Sequence, residues 1–168
     1  MPRFFRRFYF GNYHLSILLM KIQQVKGIAN RVIGEKDKYH IFWDIENCSL
    51  EQAIETLREI QAKYRLADIF ITSDKENSFR AWCFSKRPFI EYLRILLDTK
   101  SVDWAFIKWT VIRHKSVLRT SKKLGRPKQI VLRKLRGYEP YELPKKVIEE
   151  IYETGLEKYP KLEARRAW

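Results

Sequence analysis

The chain has 168 residues, 45% of them hydrophobic, with 34 Lys+Arg against 20 Asp+Glu and a net charge of +14. That length suits one domain with short extensions, and that apolar share excludes wholesale disorder. Two cysteines, Cys48 and Cys83, exclude a disulfide framework and lack a zinc-site spacing, so a reducing, cytoplasmic setting is expected.

Residues 1–34 read as a basic, aromatic extension. They carry Arg3, Arg6, Arg7, Lys21, Lys26 and Arg31 and no acid. A helix is expected around 15–32, ending near Gly34. The apolar run Leu15 to Met20 is too short to span a bilayer, and no small-residue cleavage site follows it. Residues 35–168 read as a single α+β domain. Tyr39 to Ile45 is an apolar, β-rich strand. Ser49 with Gln52 three residues on reads as a capped start for a helix near 50–65, with Ile54, Leu57 and Ile60 at helical spacing. Asp68 to Thr72 reads as a second strand, Ser73 to Asn77 as a turn and Ser78 to Phe84 as a third strand. Pro88 opens a helix to about Asp98. Trp104 to Arg113 reads as a fourth strand, Lys115–Thr120 and Gln129–Leu135 as two more, and Pro144 opens a last helix to about Glu157. Residues 39–113 thus read β-α-β-β-α-β, a ferredoxin-like or RRM-like core with a mainly antiparallel sheet. Right-handed crossovers place the first strand in the middle, between the third and fourth.

This order brings distant residues to one rim. Asp44 and Glu46, two apart at the end of the first strand, share a face, while Trp43 and Ile45 point to the other. The third strand begins with Ser78 and Arg80, and the fourth begins just after Asp103. Clustered carboxylates repel unless a cation sits between them, and oxygen ligands of this kind suit Mg²⁺ or Mn²⁺. Asp44, Glu46 and Asp103 are therefore the candidate catalytic and metal-binding residues. Ser78, Arg80 and Lys108 are the candidate nucleotide-binding residues, Arg80 by bidentate contact with a triphosphate.

Between Asp103 and Glu139 lie eleven Lys/Arg and no acid. Thermophile surfaces usually interleave both signs, so single-sign blocks point to a polyanion such as DNA or RNA. Candidate contacts are Arg113, Lys115, Arg119, Lys122, Lys123, Arg126 and Lys128, the last five around Gly125 and Pro127 in an exposed hairpin or loop. No long basic amphipathic helix argues for a membrane surface. His14, His40 and His114 form no H-x-H pair, and His40 on the first strand reads as a packed histidine. Trp82, Trp104 and Trp109, on expected strands, read as core. The chain has no P-loop, G-x-G-x-x-G or G-x-S-x-G, which disfavours a Walker ATPase, a Rossmann dehydrogenase and an α/β-hydrolase.

Ile41-Phe42-Trp43-Asp44-Ile45-Glu46, then Ser78-Phe79-Arg80, then Val102-Asp103 resemble the three motifs of the archaeo-eukaryotic primase (primase-polymerase) superfamily. The resemblance spans about residues 39–135. It implies an RRM-like core, divalent metals on Asp44, Glu46 and Asp103, and nucleoside triphosphates as substrates in DNA replication. Ser116-Val117-Leu118-Arg119-Thr120-Ser121 is similar to the strand after the third motif in plasmid- and virus-borne relatives. Arg80 stands where the family has the histidine that contacts the nucleotide. No helicase or zinc module is evident, so a minimal member working with partners such as a helicase is implied. Phe42-Trp43-Asp44-Ile45-Glu46-Asn47-Cys48 also resembles the opening of NYN domains, PIN-like metal-dependent ribonucleases built on a doubly wound parallel sheet. A third alternative is a non-catalytic DNA- or RNA-binding replication accessory protein.

Overall fold

A computed structural model describes residues 4–19, 26–122, 127 and 129–143. In chain order the elements are β1 (Phe4–Phe10), β2 (Tyr13–Leu19), β3 (Gly27–Ala29), β4 (Tyr39–Glu46), α1 (Leu50–Lys63), β5 (Ile69–Lys75), β6 (Ser78–Arg87), α2 (Phe89–Asp98), α3 (Trp104–Arg113), β7 (Val117–Arg119) and β8 (Ile130–Leu135). The described chain is α+β, and its strand ladders are antiparallel: a β1–β2 hairpin, a short β3–β7 ribbon and a sheet ordered β4-β6-β5-β8.

The four-stranded sheet is covered on both faces, which is why β4 reads as a near-continuous apolar run. Strand alternation divides its side chains between two cores. Ile41, Trp43 and Ile45 of β4 pack with Ile69, Ile71, Ala81 and Cys83 beneath Leu57 and Ile60 of α1 and Tyr92, Ile95 and Leu96 of α2. Phe42, Phe70, Trp82 and Phe84 form the second core with Leu118 of β7, joined by Ile28 and Tyr141. Residues 27–29 are therefore knit into the body through β7. His40 is buried on this second face, its Nδ1 3.1 Å from the Phe84 carbonyl, and burial lowers its pKa.

α1 starts where the sequence marks it. Ser49 Oγ accepts from the Gln52 N–H, and Gln52 Oε1 accepts from the Ser49 N–H at 2.8 Å. Such a cap contributes about 1 kcal/mol. α2 begins at Phe89 behind Pro88. β7 and β8 occupy the two late segments expected as strands. The expected final helix from Pro144 lies outside the described residues.

Four expectations are corrected. Residues 13–19 are strand, not helix. Gly11 and Asn12, with Gly11 at φ +57°, turn between two runs rich in aromatic and β-branched residues, and that makes a hairpin. β5 continues to Lys75, so Asp74 is a strand residue and the turn shrinks to Glu76–Asn77, with Asn77 at φ 54°. Residues 104–113 form a helix rather than a fourth strand. Asp103 caps it, accepting from the N–H groups of Ala105 and Phe106, and Ile107 and Thr110, one turn apart, bury its inner face. β4 consequently lies at the end of the sheet, with an isolated bridge from Ile45 to Val102 on its outer side.

Candidate functional site

Asp44, half-buried on the second face of β4, stands directly across from Arg80 on β6, and Arg80 across from Thr72 on β5. Two residue pairs further on, exposed Glu46 faces buried Ser78. The register therefore brings Asp44, Glu46, Ser78 and Arg80 together, as their spacing predicts. Asp103 joins them through the backbone: its N–H donates to the Asp44 carbonyl at 2.8 Å, and the Glu46 N–H donates to the Ser101 carbonyl at 3.0 Å. The Asp103 carboxylate, however, is engaged in capping α3, at 3.0 Å from the Ala105 nitrogen and 3.2 Å from that of Phe106.

A further acid completes the group. Asp74 Oδ2 lies 3.5 Å from Arg80 Nη1, with side-chain exposures of 3% and 12%. That nitrogen is buried and makes no hydrogen bond. A buried guanidinium nitrogen in this condition costs free energy unless an oxygen reaches it. Below Arg80, Thr72 Oγ1 accepts from Trp82 Nε1 at 3.2 Å and donates to Gln129 Oε1 at 3.0 Å. Gln129 Nε2 in turn donates to the Arg119 carbonyl at 2.7 Å, tying β7 and β8 to the site. Burial pushes the Asp44 carboxyl up to about 6, opposed by Arg80 and reinforced by Glu46, Asp103 and Asp74.

The basic residues are more dispersed. Lys108, Arg113 and Lys115 are exposed on and just after α3, and the Arg113 guanidinium lies 4.8 Å from the Trp109 ring centre. Arg119 is half-buried on β7, and Lys122 is exposed beyond it. Lys123, Arg126 and Lys128 lie outside the described residues. Trp82 is core, as expected, whereas Trp104 and Trp109 are 69% and 48% exposed. Their exposure follows from the helix that replaces the expected strand. Sequence reading also missed Asp74, hidden in a Ser-Asp-Lys-Glu-Asn string that resembles a turn. The signal was the alternation Phe70, Thr72, Asp74 on one face.

Among the described residues no group of three His, Cys, Asp or Glu is placed to hold a metal. Two carboxylates on one face, Asp44 and Glu46, do match the number that Mg²⁺ commonly takes when substrate phosphates and waters complete its shell. Asn47, the residue that suggested a NYN domain, has a backbone explanation. It adopts φ 60° and donates its N–H to the Asn77 carbonyl at 2.9 Å, a conformation asparagine tolerates well. Comparisons with protein-family models, curated proteins and solved structures return no match.

Proposed function

We infer that the chain is a nucleic-acid-processing protein of the primase-polymerase kind, with its nucleotidyl-transfer site at Asp44, Glu46 and Arg80. The observation that carries this reading is the convergence of Asp44, Glu46, Arg80 and Asp103 at one end of an antiparallel sheet, although up to 59 residues separate them. The Val102 bridge on the free edge of β4 supports it, because a fourth strand of a split βαβ unit would lie there.

In this reading the half-buried guanidinium of Arg80, which Asp74 holds from one side, contacts a phosphate oxygen of the nucleotide. Asp44 and Glu46 hold a Mg²⁺ or Mn²⁺ that would neutralise charge during phosphoryl transfer. Asp103 positions the loop before α3 and caps it. Single-stranded template is held by Lys108, Arg113 and Lys115, with bases stacking on the exposed Trp104 and Trp109. The antiparallel pairing counts against the parallel-sheet ribonuclease alternative.

Template-directed nucleotide incorporation with Mn²⁺ or Mg²⁺ tests the assignment. Wild type is expected to extend, and Asp44→Ala to lose at least about 100-fold, the scale of removing one electrostatic stabiliser. Equal incorporation by both removes Asp44 from the chemistry. Two observations favour a second, purely binding role: arginine at the position of the family histidine, and a third carboxylate engaged in capping. That role predicts salt-sensitive oligonucleotide binding by wild type with no incorporation.

A further inference from the structure

A concavity of about 530 Å³ lies beside β8, at the opposite edge of the sheet from β4. Arg58 of α1, Arg133 of β8 and Arg136 line it, together with Gln61 and Tyr138. All three arginines are exposed, and none is ion-paired or hydrogen-bonded among the described residues. Lys134 also lines the concavity, but its charge is paired: its Nζ lies 2.7 Å from Asp68 Oδ2, and the Gly137 N–H donates to Asp68 Oδ1 at 2.8 Å.

The cradle is held in place from below. Gln61 Nε2 donates to the Ala67 carbonyl at 2.8 Å and to the Leu135 carbonyl at 3.4 Å, which locks α1 to the end of β8. The Tyr138 N–H donates to the Leu66 carbonyl at 2.7 Å. Gly137 presses against the backbone so closely that an added Cβ would come 2.1 Å from the Ala67 carbonyl carbon. Arg136 and Tyr138 therefore project from a fixed segment.

Three like charges around one hollow repel each other, so the arrangement costs stability unless an anion occupies it. Guarding an edge strand with cationic side chains accounts for Arg133. It does not account for Arg58, which comes from a helix, or for Arg136, which follows the strand. Guanidinium forks match phosphate oxygens in geometry as well as charge.

We propose that this concavity is a second phosphate-binding site, which holds the backbone of a polynucleotide on the side of the sheet remote from Asp44. Arg133 pairs in register with Ile71, whose side chain belongs to the helix-covered core, whereas Asp44 lies on the other face. One and the same phosphate cannot serve both places. The proposal shares with the function above the class of partner and no residue.

The test is the salt dependence of binding to a fluorescent oligonucleotide by the full chain. Each phosphate contact contributes about 0.7–0.9 to the slope of log K against log salt. Arg58→Gln/Arg133→Gln/Arg136→Gln is expected to lower the slope by about 2–3 and to weaken binding at low salt by at least about tenfold. Arg58→Gln alone, on the outside of a helix, is expected to lower it by about one. An unchanged slope in the triple variant overturns the site, as does an equal loss when Lys36, Arg94 and Lys100 are changed to Gln instead. Displacement by inorganic tripolyphosphate at equal phosphate concentration would assign the hollow to a small anion and overturn the polymer contact. A wild type that binds no oligonucleotide would sink both this site and the proposed function, whereas lost incorporation in Asp44→Ala leaves this site intact.

Discussion

Asp44 sits on a half-buried sheet face with three acids and one guanidinium acting on it. Its folded pKa, about 6, lies above the ordinary 3.8, so folding favours the protonated form. The stabilisation this gives is fully present below pH 3.8 and is lost as pH rises through about 6. At about 1.4 kcal/mol per pH unit, the ionised form costs up to about 3 kcal/mol above that range. In metal-free buffer Asp44→Asn is therefore expected to raise the unfolding free energy by about 2–3 kcal/mol at pH 8 and to change it little at pH 3.5. Urea midpoints at the two pH values decide this, and equal effects at both would refute it. A residue that costs stability at neutral pH and sits across from a half-buried arginine fits a site selected for binding or chemistry. The Asp44/Glu46 pair was legible because period-two alternation fixes a shared face. Asp74 was not, because its neighbours have turn composition and its strand role depends on pairing with β6.

At the scale of elements, α3 is the place where local preference and final structure part. Trp-Ala-Phe-Ile-Lys-Trp-Thr-Val-Ile-Arg is rich in aromatic and β-branched residues, and so favours a strand. Yet it places Ile107 and Thr110 inward as a helix and leaves Val111 and Ile112 more than half exposed. The Asp103 cap tips the balance at the N-terminus. Asp103→Ala is expected to cost about 1 kcal/mol of stability, and Asp103→Ser, which restores the cap, to recover most of it. The same pair separates capping from metal binding. If incorporation survives in Asp103→Ser, the carboxylate is structural, and if it is lost while stability is kept, the carboxylate takes part in the chemistry. The segment after β8 gives a second expectation. Gly137→Ala would drive a methyl into the Ala67–Asp68 peptide, at 2.1–2.5 Å from three backbone atoms. A loss of about 2–4 kcal/mol is expected in thermal or urea unfolding, because backbone cannot rotate aside as a side chain can. A near-neutral result would show that residues 136–138 shift freely.

Across the whole molecule, the antiparallel α+β character and the elements from Tyr39 to Asp98 were legible, because each carries its own periodicity and punctuation. Ser49 with Gln52 marks one helix start and Pro88 the other. What lay beyond reach depends on distant partners. Gly27–Ala29 becomes a strand by pairing with Val117–Arg119, some ninety residues on, and no pattern within either triplet announces the other. The second core is likewise assembled from Ile28, Leu118, Val131 and Tyr141, drawn from far-apart stretches around one sheet face. The helix-covered core, by contrast, is built largely within residues 39–107. Closing long loops is slow, because the entropy of each closure comes due before the contact forms. Refolding is therefore expected to be ordered in time, the helical side condensing first and the far face sealing afterwards, with amide protection in pulse-labelled hydrogen exchange rising in that order. Until it seals, Asp44 keeps contact with water, and the burial that raises its pKa is not yet in place.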